Sequence, residues 1–133
     1  MRQLWIDGVW QASRNGRARR IVNPATLEPV EEVAEADAGD VARAVEAARR
    51  AQGGWQATPA VERARILHEV AAALRADRKA LAELLTREGG KPRIENIDEI
   101  EWCAACFDYY GELARHSHGS SIPPVAPHQV NFT

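Results

Sequence analysis

Long apolar runs are missing from this sequence: apolar residues come in stretches of only a few, and charged residues make up 27% of the chain. A transmembrane helix needs about 20 consecutive, mostly apolar residues. A secretory signal needs an apolar stretch near the N-terminus, where this chain has Arg2 and Asp7. We therefore expect a cytoplasmic protein with no membrane partner.

An excess of one charge is also missing, since 17 basic and 19 acidic residues give a net charge of −2. Such a balance creates no field that favours nucleic acid or an acidic substrate. Arg14, Arg17, Arg19 and Arg20 form a basic cluster, but only one aromatic residue, Trp10, lies near it. We interpret the cluster as a solvated loop and strand face and expect no nucleic-acid partner.

Cysteine is scarce, and two residues cannot form a disulfide framework in a chain of this size. Cys103 and Cys106 are spaced by one helical turn inside an apolar helical pattern, whereas a redox dithiol begins a helix after a strand. His116 and His118 lack the spacing of a zinc-binding histidine pair. We expect both cysteines to pack as small hydrophobes, and a small zinc or redox protein is the weaker alternative.

Glycine-rich phosphate loops and nucleophile elbows are missing as well. The segment 89–92, Gly-Gly-Lys-Pro, has too few glycines for a dinucleotide or Walker loop and is better explained as the end of one helix and the start of the next. No serine lies in a Gly-x-Ser-x-Gly pattern. Residue chemistry alone thus shows no complete catalytic site.

Carboxylates crowd one predicted helix, at Glu95, Asp98, Glu99 and Glu101. Carboxylates at this spacing can chelate a cation or act as an acid and base pair. They also lie in the first turns of the helix, where the dipole favours anions, and opposite an apolar stripe that includes Ile97. We interpret them as a solvated face.

The remaining residues predict an α/β fold that begins with short strands. Asp7-Gly8 between two β-prone runs, over 4–10, is a strong signal for a two-residue hairpin. Extended-prone segments over 19–22 and 30–34 predict a second pair, because the intervening Asn23-Pro24-Ala25-Thr26 suits a turn. The segment 128–133 predicts the beginning of an unpaired strand.

Four helices are predicted between these strands. Asp37 is a candidate N-cap for the first, which Gly53-Gly54 should end, and Thr58-Pro59 should begin the second. Asp77 should cap the third, closed by Gly89-Gly90, and Pro92 should begin the fourth, which runs toward Leu113. The expected buried positions are Val41, Ala44, Val45 and Ala48, then Ile66, Leu67, Val70 and Leu74, then Leu81, Leu84 and Leu85, and finally Ile94, Ile97, Ile100, Ala104 and Phe107.

Several segments, in order and at matching spacing, resemble the N-terminal part of the NAD(P)-dependent aldehyde dehydrogenase superfamily. They cover most of the chain: 4–10 resembles the "IDGEW" hairpin, 22–26 the "NPAT" turn, 41–55 a helix ending in tryptophan, 62–67 the "ERARLL" helix, 88–92 the "E-x-G-K-P" segment, and 108–111 with 122–123 the next helix and its exit. The runs are most similar to betaine-aldehyde and broad-specificity members.

The resemblance implies an α/β fold in which residues 1–127 are the hairpins and helices of an incomplete cofactor-binding domain. Residues 128–133 would begin a crossing or oligomerisation strand. Family members oxidise an aldehyde to a carboxylic acid with NAD or NADP through a cysteine thiolate and a glutamate. The resemblance assigns those groups, and the cofactor glycines, to positions beyond residue 133, so it implies no catalytic or cofactor-binding residue in this chain.

One family site does fall within the chain. Some members are similar in holding a monovalent cation through main-chain oxygens just before the "NPAT" turn and an acidic residue of the "E-x-G-K-P" segment. The matching positions are Ile21, Val22 and Glu88, and the resemblance assigns a remaining ligand to a later segment. A hard cation prefers oxygen ligands of that kind. The alternative is that Glu88 is a surface residue at the end of a helix.

Two functional hypotheses stay open at this point. The first is an aldehyde dehydrogenase segment that is inactive alone and whose partners are the missing C-terminal portion or full-length subunits. The second is a stand-alone interaction module that pairs with a separately encoded remainder, suggested by an open strand edge and apolar helix stripes.

Overall fold

The computed structural model describes residues 1–114, 116 and 119–132. His118 and Thr133, which the sequence analysis mentions, lie outside these residues.

Two antiparallel hairpins open the chain, as predicted. The strands β1 (Leu4–Ile6) and β2 (Val9–Gln11) form the first, and β3 (Ala18–Val22) and β4 (Pro29–Ala34) form the second. Asp7 and Gly8 turn between β1 and β2 with φ values of 56° and 78°. Two successive residues with positive φ make a turn whose twist matches that of the strands.

Main-chain hydrogen bonds join the N-terminus to the second hairpin. The amide of Arg2 donates to the carbonyl of Glu32 over 2.7 Å, and the amide of Ala34 donates to the carbonyl of Arg2 over 2.8 Å. Each two-stranded sheet is too small to be stable alone. This connection therefore helps to fix the first hairpin beside the second.

Four α-helices follow, as predicted: α1 (Ala38–Ala57), α2 (Ala60–Ala76), α3 (Arg78–Gly89) and α4 (Arg93–Leu113). The fourth is central, because α2 and α3 both pack along it. In contrast, α1 touches the first hairpin and α3 touches β3. The helices α2, α3 and α4 thus form one layer, and α1 packs on the first hairpin.

Alanine forms most of the helical core. The buried apolar residues of the three packed helices are Ala64, Ala71, Ala82, Ile100 and Ala104. Small side chains let helix axes approach closely, but they remove little apolar surface from water. The core between these helices is consequently thin.

Several large residues expected inside are exposed. Leu84 and Leu85 were predicted to face inward, but α3 contacts its neighbours through Ala82, so both leucines are exposed. Likewise Val41 and Val45 point to solvent, because α1 turns Asp40 and Ala47 inward. On α2, Ile66, Leu67 and Leu74 are half-buried while Val70 is exposed, and on α4 Ile94 and Phe107 are exposed.

The boundary between α1 and α2 also differs from the prediction. The helix continues through Gly53-Gly54, and its end is set by Pro59, which disfavours helical backbone at the preceding residue. Thr58 does not cap α2; its hydroxyl donates to the carbonyl of Gly54 over 2.9 Å, at the end of α1. Asp77 lies between α2 and α3 as predicted, but its side chain makes no capping hydrogen bond.

The prediction of an unpaired strand near the C-terminus was wrong. Residues Asn131–Phe132 (β6) pair antiparallel with Ser121–Ile122 (β5). Helix formation is blocked at Pro123-Pro124, so the preceding residues are extended and available for pairing. Within the described part of the chain, no helix has the length and apolar character needed to cross a bilayer.

Candidate functional site

The turn between β3 and β4 meets the end of α3. Asn23 builds the turn: its side-chain Oδ1 accepts from the amide of Ala25 over 2.9 Å, and its carbonyl accepts from the amide of Leu27 over 2.8 Å. The ring of Pro24 lies against Gly90, where an added β-carbon would come within 2.7 Å of the proline Cγ. Two segments far apart in sequence therefore share one small junction.

The α3 end of this junction is held from within the helical layer. Gly90 adopts a left-handed conformation with φ 73°, and its amide donates to the carbonyl of Thr86 over 2.9 Å. Asn96 of α4 is buried, and its amide nitrogen donates to the Thr86 hydroxyl over 2.8 Å and to the carbonyl of Lys91 over 3.2 Å. These bonds fix the segment that carries Glu88.

A cavity of about 490 Å³ lies between the second hairpin and α3 and brings two of the candidate cation ligands together. Ile21 lines it from β3 and Glu88 lines it from α3. Val22 is the next residue along β3, although it does not line the cavity. The strand register shifts between Ile21 and Val22, and such a shift disrupts the ladder and leaves main-chain groups available.

The charges around this cavity are mixed. Glu88 forms no ion pair with any described residue, so its carboxylate is available as an oxygen ligand. Arg2, Arg19 and Arg87 line the same cavity, together with Glu31, whose carboxylate lies 3.7 Å from Arg2. The oxygen ligands suit a hard cation, while the arginines oppose a high positive charge.

A buried carboxylate connects the loop after the first hairpin to α1. Asp40 is inaccessible to solvent, and its carboxylate accepts from the amides of Arg14 and Asp37, each over 3.1 Å, and from the Arg43 guanidinium over 2.6 Å. Burial alone would raise the pKa of Asp40, but these hydrogen bonds outweigh it and hold the pKa below its ordinary value.

A second polar network joins α2 to α4. Nδ1 of His68 lies 2.8 Å from Oδ1 of Asp108, and Nε2 lies 3.2 Å from Oε1 of Glu112. Arg75 donates to Asp108 over 2.7 Å and to Glu101 over 2.8 Å. The hydrogen bonds from His68 and then Arg75 lower the pKa of Asp108. The network fixes the two helices against each other and lies beside an open groove.

The cysteines differ from the prediction. Cys103 and Cys106 are both free and exposed on α4, so the expectation that they pack inside the helical layer was wrong. The buried positions of that helix are occupied by Asn96, Ile100, Ala104 and Gly111 instead. Among the residues that the structure describes, no three His, Cys, Asp or Glu side chains converge as metal ligands, and His116 is described while His118 is not.

The charged clusters lie where the sequence analysis placed them. The four arginines between residues 14 and 20 are exposed, and Arg17 pairs with Glu35 over 3.0 Å. Glu95, Asp98 and Glu99 are exposed on the first turns of α4, while Glu101 is half-buried beside Arg75.

Sequence reasoning missed the two networks. Asp40 could have been found, because Asp37 and Asp40 have the spacing of a capping box and form one here. His68 and Asp108 are separated by 40 residues, and no local pattern indicates that they meet.

Comparison with known proteins shows to which family the chain belongs, including the segments 22–26 and 88–92 that meet at the junction of Pro24 with Gly90. The profile of the Aldehyde dehydrogenase family matches residues 10–133. The chain belongs to this family.

Curated relatives match the chain along nearly all of its length. It is similar to betaine aldehyde dehydrogenase 1 of Oryza sativa subsp. japonica, with 38% identity over 98% of this chain and 27% of the relative. It is also similar to 3,6-anhydro-alpha-L-galactose dehydrogenase of Vibrio sp. (strain EJY3), with 34% identity over 90% of this chain and 25% of the relative. The chain thus spans about a quarter of the length of these relatives.

Solved structures show the same correspondence in three dimensions. An NADP-dependent enzyme of E. coli superimposes with a TM-score of 0.95 and 31% identity, over 98% of this chain and 27% of that chain. PnpE in complex with nicotinamide adenine dinucleotide superimposes with a TM-score of 0.92 and 34% identity, over the same shares. The hairpins and helices are therefore the N-terminal part of an aldehyde dehydrogenase fold.

Proposed function

We propose that this chain is a scaffold segment of an enzyme that oxidises an aldehyde to a carboxylic acid with NAD or NADP. The observation that carries the proposal is the agreement of both sequence and backbone with dehydrogenases over nearly the whole chain. In this proposal residues 1–127 belong to the cofactor-binding domain. The substrate is a small aldehyde, and the exposed free thiols of Cys103 and Cys106 suit the reducing cytoplasm.

The role of this segment is to position other parts of the enzyme. The family resemblance assigns the thiolate nucleophile, the glutamate base and the cofactor glycines to later positions of the fold. What the described residues contribute is the junction of Pro24 with Gly90 and the joined helices α2, α3 and α4. A preorganised site needs such rigid support.

A chimera tests the proposal. This chain replaces the matching N-terminal quarter of rice betaine aldehyde dehydrogenase 1, and aldehyde-dependent formation of NADH or NADPH is measured at 340 nm. We expect activity in the chimera and none in the rice protein that lacks the segment. A chimera that folds but reduces neither cofactor would contradict the proposal.

We also propose that the cavity beside Glu88 holds a monovalent cation. Main-chain oxygens of Ile21 and Val22 and the carboxylate of Glu88 would be its ligands, a set supported by the shared cavity and the register shift in β3. The three arginines nearby limit the charge of the ion, which favours Na⁺ or K⁺ over a divalent ion.

Thermal unfolding tests this cation site. Replacing choline chloride by an equal concentration of NaCl or KCl should raise Tm of the wild type, because an ion that binds only the folded state stabilises it. Glu88→Gln should abolish the increase, and Glu28→Gln, an exposed control on the β3–β4 turn, should keep it. An equal response in all three proteins would refute the site.

Residues 128–133, which contain β6, are proposed to begin the strand through which subunits assemble. The sheet of β5 and β6 has only two strands. Exposed apolar side chains lie at Val130, just before β6, and at Phe132 within it, which are 80% and 79% accessible. An open edge with such residues can add a strand from another chain. Val130→Lys in the chimera should lower the mass measured by light scattering, and an unchanged mass would contradict this assignment.

A further inference from the structure

Asn96 is a buried polar residue at the start of α4, where only 2% of its surface is exposed. The other buried residues of this helix are Ile100, Ala104 and Gly111, which have no polar side-chain atoms. Burying an amide is costly unless hydrogen bonds within the protein replace those that it makes with water. Hydrogen bonds that do replace them hold the groups on both sides in one fixed arrangement.

The amide nitrogen of Asn96 uses both of its hydrogens, and the two acceptors lie on either side of Glu88 in the sequence. Nδ2 donates to the hydroxyl of Thr86 over 2.8 Å and to the carbonyl of Lys91 over 3.2 Å. A carbonyl can only accept a hydrogen bond, so the nitrogen of the amide, and not its oxygen, must face Lys91. Asn96 thus fixes one residue before Glu88 and one residue after it against α4.

The opposite side of the same segment is held by the β3–β4 turn. Gly90 lies against the ring of Pro24, and its amide donates to the carbonyl of Thr86 over 2.9 Å. Glu88 itself is exposed and forms no ion pair with any described residue. The direction of its carboxylate is therefore set by the backbone that carries it, because no side-chain partner in the described structure holds it.

The backbone of residues 86–91 thus connects Asn96 to the cavity that Ile21 and Glu88 line. Resting on the cation site proposed above, we propose that Asn96 is a positioning residue for this site. It is not a ligand; it holds the end of α3 so that the Glu88 carboxylate faces the cavity. Removing a group that orients a metal ligand typically lowers metal affinity about 10- to 100-fold.

Asn96→Asp separates this positioning from electrostatics, because the two effects have opposite signs. Aspartate has nearly the same shape, but an ionised carboxylate only accepts hydrogen bonds and cannot donate to Thr86 or Lys91. Its negative charge alone would strengthen cation binding, whereas the loss of both hydrogen bonds should weaken it. We expect the affinity for Na⁺ to fall about tenfold. It is measured on the full chain by ²³Na NMR relaxation, at a temperature at which circular dichroism shows that each variant is folded.

Thr86 provides a milder pair of variants. Thr86→Val keeps the shape of the side chain but removes the hydroxyl that accepts from Asn96, so it should also weaken Na⁺ binding. Thr86→Ser retains a hydroxyl and should bind Na⁺ like the wild type. Asp40→Asn controls for a general loss of stability, because Asp40 is also buried but lies on α1 and does not line the cavity. This control should leave the Na⁺ affinity unchanged.

Two patterns would overturn the positioning role and leave the cation site in place. In the first, Glu88→Gln abolishes Na⁺ binding, but Asn96→Asp and Thr86→Val bind Na⁺ at least as tightly as the wild type. In the second, Asp40→Asn weakens binding as much as Asn96→Asp does, because a general loss of stability would then explain both. A wild type without saturable Na⁺ binding would overturn the cation site and the positioning role together.

Discussion

The ring of Pro24 fills the space in which a side chain at Gly90 would begin. A β-carbon on Gly90 would lie 2.7 Å from the Cγ of Pro24, and φ of Gly90 is 73°. The glycine therefore satisfies two requirements at once, a left-handed helix end and a close approach to the β3–β4 turn. This contact joins the two segments that line the proposed cation cavity.

Gly90→Ala should be destabilising for both reasons. A left-handed backbone costs a residue with a β-carbon about 1–2 kcal/mol, and the clash with Pro24 adds to it. The control is Gly89→Ala, because Gly89 is helical and has open space around it. This substitution should raise the free energy of unfolding by at most about 1 kcal/mol. Urea unfolding of both variants measures the difference, and equal midpoints would contradict the explanation.

Asp40→Ala should lower Tm by several degrees. It leaves the partly buried amides of Arg14 and Asp37 without the carboxylate that accepts from them, and the loss of such hydrogen bonds destabilises a fold. Glu46→Ala on the same helix removes only exposed ion pairs, so it should change Tm little. Thermal unfolding followed by circular dichroism measures Tm of both variants. Equal Tm values for Asp40→Ala and Glu46→Ala would contradict this explanation.

The sequence predicts the order of elements because each is coded by neighbouring residues. Asp7-Gly8 sets the first turn, and Gly90 ends α3 as expected. Side-chain burial is predicted less well. An apolar stripe shows which side of a helix is hydrophobic, but it does not show which element, if any, packs against that side. Leu84 and Val45 are exposed for that reason.

The candidate site could likewise be predicted only in part from the sequence. The family resemblance names Ile21, Val22 and Glu88, and the structure brings Ile21 and Glu88 to one cavity. The arginines around that cavity come from three different segments, so no local pattern could have indicated their presence. The partnership of His68 with Asp108 depends equally on how α2 crosses α4.

Cys103 and Cys106 should both react under native conditions. Each thiol is exposed on α4 and free, so Ellman's reagent should titrate two thiols per folded chain. Cys103→Ser should reduce this to one. Thiols that react only after denaturation would restore the earlier expectation that the cysteines are buried.

The purified chain alone should produce no NADH from NAD and an aldehyde. Neither a nucleophile motif nor a glycine-rich phosphate loop is present in its sequence. Absorbance at 340 nm measures the reaction, with an intact aldehyde dehydrogenase as the positive control. Turnover that Cys103→Ser or Cys106→Ser abolishes would show that this reasoning is wrong.

His68→Ala should raise the pKa of Asp108 toward its ordinary value of 3.8, because the hydrogen bond from His68 is the main cause of its lowering. A carboxyl with a lowered pKa stabilises the folded state fully above pH 3.8 and loses that contribution as the pH falls through its folded value. The variant should therefore lose less stability than the wild type on acidification below pH 3.8. The ¹³C carboxyl shift of Asp108 reports its titration directly, and Arg65→Ala, whose ion pairs are with Glu62 and Glu69, serves as the control. An Asp108 titration that is the same in His68→Ala and the wild type would mean that Arg75 alone holds the carboxylate in its charged form.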